Sequence, residues 1–435
     1  MRIFLCIGLS LLICVQSFGS GDEKASKNLK DQIEKLSREV ESKVIDWRRD
    51  IHQNPELSNR EFKTAEKVAA HLKSLGIEIQ TGIAHTGVVG ILKGGKPGPV
   101  VALRADMDAL PVVERVDVPY KSMVKSTYNG LEVGVMHACG HDTHVAILMG
   151  VAEVLSGVKD DLKGTVKFIF QPAEEGPPAG EEGGAELMVK EGVLENPNVD
   201  VIFGLHINSK LEVGNIAYKP GGTLASANSF SIKLKGKQTH GAYPWDGVDP
   251  IVAAAQIINN AQTIVSRNLR LIQEGAVVTF GSIHGGVRSN IIPEEVKMEG
   301  TIRALDYDMQ KLIFERLESI VTHTAKSNGV EAELIIHPGY PITYNDPDLT
   351  AKMAPTLQKV AGDDKAIVTK AVTGAEDFSF FQQKVPGLFF RVGGRPSNIT
   401  AEEAAPHHTP DFYIDDSGLL LGVRAMCHLV VDYSN

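Results

Sequence analysis

Cysteine is scarce in this chain, with four in 435 residues. Cys6 and Cys14 stand in the first fifteen residues, which leaves Cys139 and Cys427 far apart in the remainder. Two distant cysteines exclude a disulfide framework, so Cys139 needs another explanation. An excess of positive charge is also missing. The formal net charge is −10, which argues against a nucleic-acid partner, because phosphate binding needs clustered Lys and Arg. Past the first fifteen residues, no run approaches the roughly 20 apolar residues of a membrane-spanning helix. There is no internal repeat and no low-complexity tract.

What is present is the composition of a soluble globular protein, 43% hydrophobic and 23% charged. At 435 residues the chain is too long for one ordinary core, and two domains are expected. The start differs in kind. A short positive opening, Met1-Arg2, precedes the apolar run 3–15 and the small residues Ser17, Gly19 and Ser20. That pattern reads as a secretory leader over residues 1–20, with an uncleaved anchor as the alternative. It implies an extracellular, periplasmic or endomembrane-lumen location, and no Lys-Asp-Glu-Leu-type ending argues for retention. One sequon, Asn398-Ile399-Thr400, is a glycan acceptor if the source is eukaryotic.

Apolar residues at three- and four-residue steps predict a helix over 29–49, and a second follows over 61–75. Apolar runs at 88–92, 100–103, 165–170 and 201–205 read as strands, and 144–155 as a helix. Strands alternating with helices predict an α/β domain with a mixed, mainly parallel sheet flanked by helices. From about residue 220 the pattern becomes strand 230–234, helix 249–265, strands 276–283 and 296–303, helix 308–326 and strand 331–337. The order βαββαβ predicts an inserted ferredoxin-like domain. The expected division is thus 30–219 with 338–435 as one domain and 220–337 as the insert. A helix over 348–360, a strand over 388–392 and a final helix after residue 416 complete the chain.

The residues able to carry chemistry gather in a few places. His137-Ala138-Cys139-Gly140-His141-Asp142-Thr143-His144 offers thiolate and imidazole, the preferred ligands of zinc and its neighbours. Gly140 permits Cys139 and His141 to approach one site. Asp142 is a natural partner for an imidazole N–H. Gln171-Pro172-Ala173-Glu174-Glu175-Gly176 places adjacent carboxylates at a strand end, where one can bind a metal and the other take a proton from water. His206 ends another apolar strand, and Pro406-His407-His408-Thr409-Pro410 lies in a loop. Each alone has a bland reading: a buried Cys, an acidic loop or a structural histidine. Together they follow strands of one α/β domain, where open sheets place their sites.

With Arg104-Ala105-Asp106-Met107-Asp108-Ala109-Leu110-Pro111, Thr239-His240 and Thr373-Gly374-Ala375-Glu376-Asp377-Phe378, these motifs resemble the M20 metallopeptidase family. More closely, they resemble its amidohydrolase branch: hippurate hydrolases, N-acyl-amino-acid aminoacylases and plant auxin–amino-acid conjugate hydrolases. The likeness runs from about Asp46 to the C-terminus. Arg104 stands where other branches carry the His of a His-x-Asp metal motif, and so matches the amidohydrolase branch.

The resemblance implies two divalent ions, Mn2+ or Zn2+, on Cys139, His141, Glu175, His206 and His408, with His407 a neighbour. It implies Glu174 as general base, Asp106 as a residue orienting a ligand, with a strand-end salt bridge to Arg104 as the alternative, and His240 as stabiliser of the oxyanion, often across a dimer formed by the inserted domain. It implies Asn290 and Glu376 as substrate-binding residues. The expected reaction is hydrolysis of an N-acyl amino acid to a carboxylic acid and a free amino acid. A carboxypeptidase or dipeptidase on the same scaffold, and a non-catalytic binding protein, are the rival readings.

Overall fold

A computed structural model describes residues 16–435. Of the leader expected over residues 1–20, residues 1–15 lie outside the described residues and 16–20 begin a helix. The chain then enters a long helix, Gln16–Gln53. Its buried stripe is Leu29, Ile33, Ser37, Val40, Val44, Arg48 and Ile51, the three- and four-residue spacing of one helix face. Among the described residues no helix is long and apolar enough to cross a membrane.

An eight-stranded mixed sheet dominates. In spatial order its strands are Glu78–Ile83, Gly87–Lys93, Lys163–Gln171, Lys96–Asp106, Val201–Glu212, Gly387–Arg395, Ile216–Tyr218 and Ala366–Val368. The central four run parallel. Gly87–Lys93 and Lys96–Asp106 are close in sequence but not neighbours in the sheet, because Lys163–Gln171 lies between them. The central strands are buried on both faces, which is why they read as continuous apolar runs. Phe168, Phe170, Leu103 and Phe203 face a core shared with helices Gln16–Gln53, His141–Gly157, Pro347–Ala361 and Leu419–Ser434. Ala102, Ile169, Ile202 and Phe389 face the other side, against Ala185, Met188, Phe378 and Phe381.

Glu78–Ile83, Ile216–Tyr218 and Ala366–Val368 are strands that the sequence pattern does not predict. The first is an edge strand with mostly exposed side chains, and the other two are three residues long. Such strands leave no alternating apolar signal.

A second sheet of four antiparallel strands has the order Glu331–His337, Asn228–Lys235, Glu295–Ala304, Ala276–Gly285. Helices Pro250–Thr263 and Tyr307–Asn328 cover it around a separate core of Phe230, Ile232, Leu234, Ile257, Met298, Ile313 and Leu317. In chain order, the outer strand Glu331–His337 is the last and its neighbour Asn228–Lys235 the first, which is the ferredoxin-like arrangement. Helix Pro250–Thr263 starts on Asp249, whose side chain accepts from the Ile251 and Val252 N–H groups, with Pro250 at the first helical position. The connections to this sheet are tied together where the Ala227 N–H donates to the Tyr340 carbonyl.

Candidate metal centre

A strand end and several turns deliver the functional side chains. The strand Lys96–Asp106 ends at Asp106, and Asp108 follows two residues on. Gly140 has φ +89, and a Cβ there would lie 2.4 Å from Ile207 Cγ2. Only glycine fits, and the turn sets Cys139 on one side and His141 on the first turn of helix His141–Gly157. Ala173 and His408 also hold positive φ, +53 and +63, although both carry a Cβ. Non-glycine residues in that region cost free energy and concentrate at functional sites.

These turns converge on one cluster. Cys139 Sγ lies 3.4 Å from His206 Nε2 and 3.6 Å from His407 Nδ1. His408 Nε2 lies 2.9 Å from Glu175 Oε1. His141 Nε2 is buried without a hydrogen-bond partner, 3.8 Å from Glu174 Oε2 and 4.0 Å from Glu175 Oε1. Cys139 with Glu175 and His408, Cys139 with His206 and His407, and His141 with Glu174 and Glu175 form groups whose ligand atoms lie within 4.8 Å of one another. Thiol, imidazole and carboxylate around an orphaned buried imidazole nitrogen are the donor set of a divalent transition metal.

Hydrogen bonding separates ligand candidates from buttresses. His144 Nδ1 is 2.5 Å from Asp106 Oδ1, and its Nε2 accepts the Ile207 N–H at 2.8 Å. Both ring nitrogens are therefore engaged. His407 is engaged in the same way: Nδ1 faces the Cys139 carbonyl at 3.2 Å, and Nε2 accepts the Ser209 N–H at 3.3 Å. His408, by contrast, directs Nε2 at Glu175.

The charges are as crowded as the ligands. Arg104, 1% exposed, donates to Asp106 at 2.6 Å, Glu376 and Asp377 at 2.9 Å each, and Gln171 at 2.7 Å. Burial pushes Asp106 up, but Arg104, His141 and His144 outweigh it and hold the carboxyl well below its ordinary range. Glu174 goes the other way: burial and the neighbouring Glu376, Glu175 and Asp377 raise it well above a free glutamate. Asp377 is pushed up to about 8 by burial and Glu376, against the pull of Arg104. A carboxyl raised in this way suits proton transfer near neutral pH.

The remaining expected site residues stand elsewhere. Asp142 is buried, but its carboxylate faces Arg48 and His52 at 2.8 Å each, not a histidine of the cluster. The partner of His141 is Asp108, with Oδ1 3.2 Å from Nδ1, while Asp106 is 3.8 Å away. Glu376 is 2% exposed beneath Glu174, bonded to Arg104 and to the Phe378 N–H. His240 and Asn290 sit together at a separate two-stranded ribbon, Thr239–His240 paired with Ile291–Ile292, where the Gly241 N–H donates to the Asn290 carbonyl. Both are exposed, and the His240 ring accepts the Ala242 N–H.

Asp108, His144, Glu61 and Tyr340 join the site without being among the site residues expected from the sequence. Two of these left a signal. Asp108 lies two residues after Asp106, and His144 lies one helical turn after His141, on the same face. Glu61 and Tyr340 reach the site from distant segments, and nothing local marks them.

Comparison with known proteins agrees with this geometry. Residues 102–432 match the family described as Peptidase family M20/M25/M40. The chain is 41% identical to Thermostable carboxypeptidase 2 of Saccharolobus solfataricus, across 93% of this chain and 100% of that protein. It is 36% identical to N-acetylcysteine deacetylase of Bacillus subtilis, across 90% of this chain and 96% of that one. The crystal structure of the Bacillus subtilis YXEP protein, described as a dinuclear metal binding peptidase, superposes with a TM-score of 0.75 at 34% identity, covering 91% of this chain and 98% of that one.

Proposed function

Because the chain belongs to peptidase family M20/M25/M40 and is a hydrolase of amidohydrolase or peptidase type, we propose that it cleaves the amide bond of N-acyl amino acids, auxin-type acyl conjugates included. The products are a carboxylic acid and a free amino acid. The observation that carries the reading is Glu174, a buried, raised carboxyl held against the ligand cluster and beside Glu175.

Cys139, His141, Glu175, His206 and His408 would hold two divalent ions, Mn2+ or Zn2+. When bound, such ions supply Lewis acidity for the amide carbonyl and acidify water. Glu174 takes the proton of the attacking water at a carboxylate oxygen and returns it to the leaving amine. Arg104 fixes Glu376 and Asp377 around Glu174, and Asp108 fixes the His141 ring, so the proton acceptor and the ligands stay in register. We assign oxyanion stabilisation to His240 and substrate contact to Asn290, reached across a homodimer formed through residues 220–337. The exposure of both side chains at that two-stranded ribbon supports this. The leader pattern at residues 1–20 supports entry into a secretory route.

A second reading, a carboxypeptidase or dipeptidase, is favoured by the 41% identity to a protein named carboxypeptidase. Both reactions cut an amide beside a free carboxylate, so a substrate panel separates them. N-acyl amino acids should be turned over faster than dipeptides or acyl dipeptides, and the reverse order assigns the protein to the peptidases. Glu174→Gln should retain metal and fold while losing at least a hundredfold in kcat, the scale of general-base catalysis. Near wild-type turnover in that variant rejects the role of Glu174.

A further inference from the structure

The loop that carries Glu174 and Glu175 is clamped by its backbone. The Glu174 and Glu175 N–H groups donate to Asp108 Oδ1 and Oδ2 at 3.0 Å each. The Tyr340 hydroxyl donates to the Glu174 carbonyl at 2.7 Å. One residue earlier, the Ala173 N–H donates to Glu61 Oε1 at 2.9 Å. Ala173 is the residue held at φ +53, and a residue with a Cβ relaxes out of that basin unless its surroundings hold it there.

Glu61 is fully buried. It stands immediately before helix Phe62–Ser74, and its side chain caps none of the helix N–H groups. Its Oε1 also accepts the Asn59 N–H at 3.0 Å, and Oε2 accepts the Thr86 hydroxyl at 2.6 Å. Burying a carboxylate is costly unless hydrogen bonds compensate it, and here one of those bonds crosses to the strained residue beside Glu174. Asp108 shares the clamp but also touches His141, so it belongs to the cluster. No hydrogen bond or ion pair joins Glu61 to a side chain of the cluster among the described residues.

We propose that Glu61 is a positioning residue for amide hydrolysis: by holding the Ala173 N–H it fixes the left-handed turn that aims the Glu174 and Glu175 carboxylates. The proposal rests on the reading of Glu174 as the proton acceptor. If the turn relaxes, the Glu174 carboxylate swings away from the attacking water. A displacement of about 1 Å at a reacting group is enough for a loss on the order of a hundredfold.

The test uses the full-length, metal-loaded enzyme and the amide substrate on which it is most active, with kcat, KM, metal content and thermal midpoint as readouts. Glu61→Gln keeps an oxygen facing Ala173 and should stay within about threefold of wild type in kcat. Glu61→Leu has no acceptor. It should lose at least tenfold in kcat, with KM within about threefold and metal retained. Adding Ala173→Gly should recover at least threefold of that loss, because glycine adopts positive φ without help. A role confined to packing around helix Phe62–Ser74 would not be rescued by glycine at 173. The proposal is overturned if Glu61→Leu keeps wild-type kcat, if Glu61→Gln is as damaged as Glu61→Leu, or if glycine at 173 recovers nothing. Should Glu61→Leu not fold, Thr86→Val carries the test by releasing the other carboxylate oxygen: it should lower kcat at least threefold, and an unchanged kcat overturns the proposal. Glu174→Gln is measured in parallel. Turnover surviving there rejects the base assignment itself, whatever the Glu61 variants do.

Discussion

Removing the guanidinium of Arg104 should be among the most damaging single changes this fold can receive. In Arg104→Leu, Asp106, Glu376 and Asp377 lose their shared cation, and Gln171 Oε1 loses its donor. Breaking a buried ion pair by removing one partner costs about 3–5 kcal/mol, because the other charge stays buried and uncompensated. Three carboxylates share this cation, so the upper end of that range is expected, reduced as they take up protons. The sign of the pH dependence follows. Without Arg104, Asp106 loses the largest of the charges that hold it down, and Glu376 and Asp377, already above their unfolded values through burial, rise further. A carboxyl raised in the folded state contributes stability that is present below its unfolded pKa and lost as pH rises through the folded one. With unfolded values of 3.8 and 4.5, and Asp377 already pushed up to about 8, the deficit should widen between pH 5 and pH 8. Urea unfolding of wild type and variant across that range is the assay. Adding Asp377→Asn and Glu376→Gln to Arg104→Leu should restore part of the loss, measurable as a coupling energy. A single variant within about 1 kcal/mol of wild type, or a deficit that shrinks as pH rises, would refute the reasoning.

Asp108→Ala removes the partner of His141 Nδ1 and both acceptors under the Glu174 and Glu175 N–H groups. Metal affinity should fall roughly 10–100-fold in competition with a chelator, and an unchanged affinity would count against Asp108 as the orienting group. Lys167→Met tests a support remote from the chemistry. Lys167 Nζ donates to the Val193, Glu195 and Pro197 carbonyls at 2.9, 2.6 and 3.2 Å. The loss should be about 2–3 kcal/mol by thermal or urea unfolding with kcat unchanged, whereas a drop in kcat at full stability would contradict a purely structural role.

The helices and central strands were legible because their patterns are driven by burial. The stripe from Leu29 to Trp47 and the apolar run 165–170 keep their meaning in any context that offers a core. The edge strand Glu78–Ile83 was not legible because most of its side chains are exposed, and Ile216–Tyr218 and Ala366–Val368, three residues each, are specified by their neighbours. The ligand types were legible as chemistry, in Cys139-Gly140-His141, Glu174-Glu175, His206 and His407-His408. Adjacent pairs, however, could not be told apart by spacing. The family resemblance favours His408 over His407, and the hydrogen bonds give the physical reason: the Ser209 N–H occupies the His407 ring, while His408 faces Glu175. Asp142 shows the converse. It stands beside His141 in sequence, yet on the helix its carboxylate turns to Arg48 and His52.

What the sequence determined by itself was therefore the inventory: two apolar cores with their periods, and a set of thiol, imidazole and carboxylate groups placed after strands. The tertiary structure decided the partnerships. Glu61, Asp108 and Tyr340 come from three separate segments and meet on the backbone of one turn, from Ala173 to Glu175. A hydrogen bond depends on positions within a few tenths of an ångström. Sequence periodicity fixes which face a residue occupies, and only the packing of whole elements brings two distant groups to that separation.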